Sequence, residues 1–292
     1  MLLKLFLILA ITYTALTLCS VGISDWIIFP EVPAIYKDGP DTLKLKTSKG
    51  ATITTVYLKA PDPKQLLLYS HGNGEDIGRL LDFLKNFQKR GISVLVYDYP
   101  GYGTSSDKPT ESGVYAAADA VYKFATETLN FAPEQIVLYG YSLGSGPSCW
   151  LAERYTVNRL ILDGAFTSAF RVMTRVKLFP NDKFDNLSRF KNIDCPILLI
   201  HGTEDRIVPF WHARENWKVL RGEKQKLWVK GAGHVNLPEV AGSLYWDTVE
   251  SFIKKAHSFE QANESYEIHF CHRRSRFFSG QRPDCSSVGC AP

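Results

Sequence analysis

At 292 residues, 45% hydrophobic and 13% aromatic, the chain can bury one large α/β core or two small domains, and it is too apolar for a disordered protein. Its formal charge of +4 is mild, and Lys and Arg are spread along the chain, which argues against a nucleic-acid surface. The six cysteines (Cys19, Cys149, Cys195, Cys271, Cys285, Cys290) form no C-x-x-C pair and no finger-like spacing, so a zinc site is not expected.

Residues 1–24 are apolar with one early charge, Lys4. About twenty uncharged residues are just enough to cross a bilayer as a helix, although Thr12, Tyr13, Thr14 and Thr17 dilute this one. Trp26 and Phe29 just beyond would suit an interfacial belt. The competing reading is a cleaved secretory signal with residues 5–11 as its apolar region, Ala15-Leu16-Thr17 being the nearest small-x-small site. Lys4 precedes the segment while Asp25 and Glu31 follow it, so the positive-inside bias sends the bulk of the chain out. The expectation is a protein membrane-anchored by one N-terminal helix, with its catalytic domain on the non-cytoplasmic side. The alternative is a secreted or periplasmic protein after cleavage. Residues 25–42 then form a juxtamembrane linker.

From Leu43 the pattern becomes β-like, with loose alternation over 51–59 closed by Pro61-Asp62-Pro63. Short continuous apolar runs follow at 66–70, 92–97, 135–139, 160–162 and 197–200, with a shorter one at 227–229. Runs of this kind read as parallel strands covered on both faces. Helix-like segments lie between them at 77–89, 115–129, 145–155, 211–220 and 243–255. In the second, Val114, Ala118, Val121, Phe124, Ala125 and Leu129 fall on one helical face. Such alternation predicts an α/β domain over 43–257, built on a mostly parallel central sheet with helices on both faces. Residues 258–292 change in composition, with a basic knot (His272, Arg273, Arg274, Arg276) and three cysteines, and read as a loosely ordered tail.

Parallel α/β sheets carry their chemistry at the carboxyl ends of strands. Four turns there are informative. His71-Gly72-Asn73-Gly74 follows the 66–70 run, and Gly140-Tyr141-Ser142-Leu143-Gly144 follows 135–139. His201-Gly202-Thr203-Glu204-Asp205 follows 197–200, and Gly231-Ala232-Gly233-His234 follows 227–229. A G-x-S-x-G between strand and helix is a nucleophile elbow. A serine hydroxyl needs a base, for which His234 is the candidate. The imidazole needs an ionised carboxylate to hold its tautomer, which Asp205 supplies. An oxyanion needs two fixed backbone donors, the N–H groups of Leu143 and Asn73. Glu204 and Asp163 are alternative acids. His71 and His201 read as structural, while His212, His257, His269 and His272 read as surface residues. Asp98-Tyr99-Pro100-Gly101-Tyr102-Gly103 is a tight turn without the third glycine of a dinucleotide fingerprint, and Cys149 reads as a small buried residue.

These motifs together resemble the α/β-hydrolase superfamily. Within it, the chain is similar to the branch of α/β-hydrolase domain depalmitoylases and their bacterial relatives. The resemblance spans about residues 66–255 and implies an α/β-hydrolase fold with a serine-hydrolase triad at Ser142, Asp205 and His234. A single apolar segment with one cysteine, Cys19, stands where the animal depalmitoylases carry a cysteine-rich one. The stretch 164–194, with Phe166, Phe170, Val172, Met173, Leu178 and Phe179, is where this fold carries its lid, and it is long enough only for a short cap. The expected function is a serine hydrolase of an acyl ester or thioester, using no cofactor. Its partners would be an acyl-bearing substrate (small ester, lipid or acylated protein) and a membrane reached through the N-terminal segment. A serine peptidase of the aminopeptidase-like type and a non-catalytic scaffold are the alternatives.

Overall fold

The computed structural model describes residues 2–176 and 182–255, with the side chains of residues 2–3 and 18–23 left aside. The chain divides after Lys254, and its first unit, Met1–Lys254, is compact. The expected tail at 258–292, like Leu178 and Phe179 of the expected cap, lies outside the described residues.

The first unit is organised by an eight-stranded sheet of order β1-β2-β4-β3-β5-β6-β7-β8. Its strands are β1 (Thr42–Lys46), β2 (Thr52–Leu58), β3 (Leu66–Ser70), β4 (Ser93–Tyr97), β5 (Ile136–Tyr141), β6 (Arg159–Asp163), β7 (Ile197–Gly202) and β8 (Lys224–Val229). β1, β2 and β4 pair antiparallel, and every pairing from β4 to β8 is parallel. Strands β3 to β7 read as unbroken apolar runs because both their faces are covered. β8 extends three residues before the apolar run that announced it. Lys224, Gln225 and Lys226 sit on an edge strand, where polar side chains are tolerated and hide the strand from a hydrophobicity reading.

Helices α1 (Leu2–Ile28), α2 (Ile77–Lys89), α3 (Glu111–Lys123), α4 (Ser145–Arg154), α7 (Trp211–Val219) and α9 (Ser243–Lys254) are the longer ones. Between them fall the short helices α5 (Arg171–Thr174), α6 (Asn186–Arg189) and α8 (Leu237–Ala241). α2 starts at Asp76, whose carboxylate accepts the Arg79 N–H at 3.0 Å. α3 begins earlier than the apolar spacing indicated, because the Thr110 hydroxyl caps it by accepting the Gly113 N–H at 3.0 Å. One sheet face is packed by α3 and α4 around Leu68, Leu138, Leu160 and Leu199, the other by α2 and α9 around Tyr69, Val137, Ile161 and Phe252. α5 and α6 belong to the 164–194 stretch, where Phe166 turns into the core while Met173 stays exposed.

α1 corrects an expectation. Among the described residues, no helix is long and apolar enough to cross a membrane. This overturns the single-span anchor and, with it, the localisation read from that span. Along it, the hydroxyls of Thr14 and Thr17 fold back onto the carbonyls of Ala10 and Tyr13, at 2.9 Å each. The helix end is held by protein. Ser24, Ile28 and Phe29 are buried, and Asp25 pairs with Lys183 of the cap stretch. Phe29 thus fills a protein interior rather than an interfacial belt.

Sheet order fixes where a site can form. The chain leaves β3 for β4 on one side, then crosses back so that β5 to β8 build outward on the other. The crevice above the junction of β3 and β5 is therefore the topological switch point, the usual place for a ligand in an open α/β sheet. Leu138 lies fully buried in β5 at that junction. Leu138→Ala should lower the unfolding free energy by about 3 kcal/mol, from lost transfer energy plus a residual cavity. Denaturant titration checks this, and a loss below about 1 kcal/mol would contradict the packing described.

Candidate active site

Ser142 stands immediately after β5, in a one-turn helix (Ser142–Gly144) that leads into α4. Its φ of 49° lies in the left-handed region that L-residues avoid. The turn is tight enough to forbid side chains on either side. A Cβ on Gly140 would sit 2.5 Å from the Gly144 carbonyl oxygen, and one on Gly144 would sit 1.9 Å from that of Ser70. The second contact also presses the elbow against the end of β3. The turn carrying Asn73 follows β3 directly, and Leu143 is buried in the elbow itself.

The structure brings Ser142, His234 and Asp205 together from three separate loops. His234 Nε2 lies 2.8 Å from Ser142 Oγ, and His234 Nδ1 lies 2.7 Å from Asp205 Oδ2. All three are buried. Asp205 Oδ1 accepts the N–H groups of Ile207 and Val208 at 2.9 and 2.8 Å, which fixes the carboxylate in place. Burial pushes the Asp205 carboxyl up, but the hydrogen bond and charge of His234 outweigh it and hold the group below the usual carboxylate range. It is therefore ionised at neutral pH. Tyr141 tilts against the His234 ring with centroids 5.4 Å apart and donates its hydroxyl to the His234 carbonyl at 3.2 Å.

The remaining candidates separate by environment. His71 is buried, with Nδ1 2.8 Å from the Gly72 carbonyl and its ring stacked on Tyr99 at 4.1 Å. Burial lowers it to about 4, so it is neutral and orders the loop. His201 holds the Val208 carbonyl at 2.8 Å. His212 does not lie on the surface as its helical context suggested. It is buried, and its Nδ1 accepts the Thr167 N–H at 3.1 Å, because α7 turns this residue under the loop after β6. His257, His269 and His272 lie outside the described residues. Glu204 is left aside by the geometry, since Asp205 is the carboxylate that meets His234. Cys149 is fully buried, and burial pushes its thiol up. Among the described residues no group of three His, Cys, Asp or Glu side chains is arranged to hold a metal ion.

A second polar cluster draws its residues from distant segments. Asp163, paired in register with Tyr141, accepts the hydroxyls of Tyr139 and Tyr245 at 2.7 and 2.9 Å. Burial raises its carboxyl to about 6. Glu75, whose Oε2 accepts the Gly72 N–H at 2.7 Å, is raised to about 7, again chiefly by burial. Both line a cavity of about 220 Å³ that reaches His234. Nothing in the local spacing of Glu75 and Tyr245 flags them, while Asp163, an alternative acid by its place after a strand, is bound to tyrosines, and Asp205 is the carboxylate that meets His234.

The sequence matches the family model of the alpha/beta hydrolase fold over residues 65–182. It is 35% identical over 236 residues to alpha/beta hydrolase domain-containing protein 17B of Homo sapiens, covering 80% of each chain. It is 33% identical to protein 17C of Mus musculus, covering 74% of this chain and 68% of that one. Among solved structures, an esterase of Pyrococcus furiosus superposes with a TM-score of 0.65 at 14% identity, over 77% of this chain and 97% of its own. An esterase of Exiguobacterium antarcticum gives 0.59 at 16% identity, over 73% and 99%. At such identities the structural likeness speaks for the fold.

Gly144→Ala should cost more than about 2 kcal/mol of stability because the clash is with backbone. Gly39→Ala, where a Cβ meets nothing within 4 Å, should stay within about 0.5 kcal/mol. Equal losses in thermal unfolding would contradict the close approach. Asp163→Asn should flatten the dependence of stability on pH. In the parent the raised carboxyl contributes stability that is full below about pH 4 and lost as pH rises through about 6. Unfolding measured at pH 4 and 7 should show the parent losing more than the variant. Parallel curves would refute the assignment.

Proposed function

Because the chain belongs to the α/β-hydrolase family, we propose that it is a serine hydrolase that cleaves an acyl ester or thioester through an acyl-Ser142 intermediate. The observation that carries the reading is the continuous chain from Ser142 Oγ to His234 to Asp205, with links of 2.8 and 2.7 Å. In this reading Ser142 Oγ attacks the acyl carbon while its proton passes to His234 Nε2. The imidazolium is stabilised by ionised Asp205, which keeps the second ring proton at Nδ1. The negative charge gathers on the former carbonyl oxygen, facing the N–H groups of Leu143 and Asn73, and each such donor contributes roughly 3 kcal/mol to the barrier reduction. His234 then gives its proton to the departing alkoxide or thiolate. Water enters, loses a proton to the same nitrogen and attacks the acyl-enzyme. The second tetrahedral adduct collapses to free acid and restored Ser142.

The surroundings favour an apolar acyl group. Val235, next to the base and lining the cavity that reaches it, and Ile207, two residues after the acid, are 72% and 57% exposed. Apolar side chains left open beside a polar reaction centre suit an acyl chain presented by a larger molecule. The resemblance to the depalmitoylase branch makes a fatty-acyl thioester the first substrate to try.

A fluorophosphonate probe should label the protein at Ser142, and Ser142→Ala should abolish the label and lower kcat by about a millionfold. Asp205→Asn should lower kcat by about ten-thousandfold, since the wrong tautomer of His234 is then held. Labelling that survives in Ser142→Ala would overturn the reading.

A further inference from the structure

The oxyanion turn is tied to the N-terminal helix. Asn73 offers its side-chain Nδ2 to the Ile28 carbonyl at 2.7 Å, and its Oδ1 accepts the Tyr102 hydroxyl at 2.8 Å. The amide is thus held at both ends. Asn73 is itself exposed, so packing does not immobilise it, and its neighbours Gly72 and Gly74 add no side chains to restrain the turn. The two hydrogen bonds hold the Asn73 side chain, while Glu75 holds the preceding N–H of Gly72 and the Tyr141 ring packs against Gly72. Ile28 is placed in its turn. It ends α1, and Phe29 beside it is buried edge-on against Tyr102 and Phe184, with ring centroids at 6.5 and 6.1 Å. Phe184 packs so closely on α4 that a Cβ on Gly146 would fall 2.3 Å from its ring. Asp25, one turn back, pairs with Lys183.

We propose that the last turn of α1 is a positioning element for the reaction: the Ile28 carbonyl and the Tyr102 hydroxyl clamp the Asn73 side chain and so aim the Asn73 backbone N–H at the oxyanion. This rests on the serine-hydrolase reading above. A backbone donor serves a developing oxyanion only if it is held in place beforehand, and an ångström of misplacement costs up to about a hundredfold in rate. Asn73 is a positioning residue by its side chain and a donor by its backbone, and substitution separates the two roles. Asn73→Ala keeps the N–H and removes both clamps. The N-terminal helix thereby becomes part of the machinery of the site.

The test uses the full chain, a p-nitrophenyl ester, and a trifluoromethyl ketone whose adduct with Ser142 carries an oxyanion. Asn73→Ala should lower kcat about 10-fold or more with KM within about twofold, and weaken the trifluoromethyl ketone by the same factor as kcat. Tyr102→Phe, which keeps the ring, should show a smaller loss in the same direction and add nothing further to Asn73→Ala, as partners in one clamp do. Phe29→Ala should reproduce the kcat loss, and Phe29→Leu should recover most of it. A merely structural role would lower the amount of folded protein without changing the ratio of inhibitor affinity to KM. Unchanged kcat and unchanged inhibitor affinity in Asn73→Ala, or full additivity of Tyr102→Phe with it, would overturn the proposal. Fluorophosphonate labelling of the parent separates the two readings: a labelled parent with an unaffected Asn73→Ala refutes only the clamp, whereas an unlabelled parent refutes the hydrolase.

Discussion

The structure depends on one backbone approach, that of Gly144 to the end of β3. The absence of a side chain there lets the elbow close against the Ser70 carbonyl. That contact allows Ser142 to keep a left-handed φ between β5 and α4. It also sets the elbow beside the turn that carries Asn73. Strain of this sort costs of order 1–3 kcal/mol and persists only where its surroundings over-determine it. Here they do: β5 is buried along its first five residues, and the Ser145 hydroxyl returns to the Ser142 carbonyl at 2.7 Å.

Around this elbow the buried carboxyls divide by what they are given. Asp98, Glu75 and Asp163 are pushed up to about 7, 7 and 6 respectively, because burial outweighs the donors that reach them. Asp205 goes the other way. It receives two backbone N–H groups and an imidazole, enough to keep it ionised despite burial. A charge is thus maintained beside His234, where an imidazolium would need it, while burial shifts the other carboxyls upward.

The end of α1 shows how an appended-looking segment becomes structural. Its first half exposes Leu5, Phe6, Ile8 and Ile11, whereas its last residues are buried among Tyr102, Phe184 and the turn that carries Asn73. Composition alone read the whole segment as one apolar unit. The change of environment part-way along is set by contacts with residues 73, 102, 183 and 184, none of them near it in sequence.

The sequence by itself determined the strand–helix alternation, the parallel inner sheet and the turns at its carboxyl edge, because each is written in short-range patterns. Apolar runs mark strands covered on both faces, and glycines mark backbone that must come close. Ser142, Asp205 and His234 were legible because each stands in such a turn. Tertiary structure alone decided the rest. His212 is buried because α7 turns it under a distant loop, Asp163 is held by tyrosines 24 and 82 residues away, and Asn73 is clamped by a carbonyl 45 residues before it. Hydrogen bonds and burial between distant segments leave no local spacing to read, since their energy comes from the folded neighbourhood and not from the order of residues along the chain.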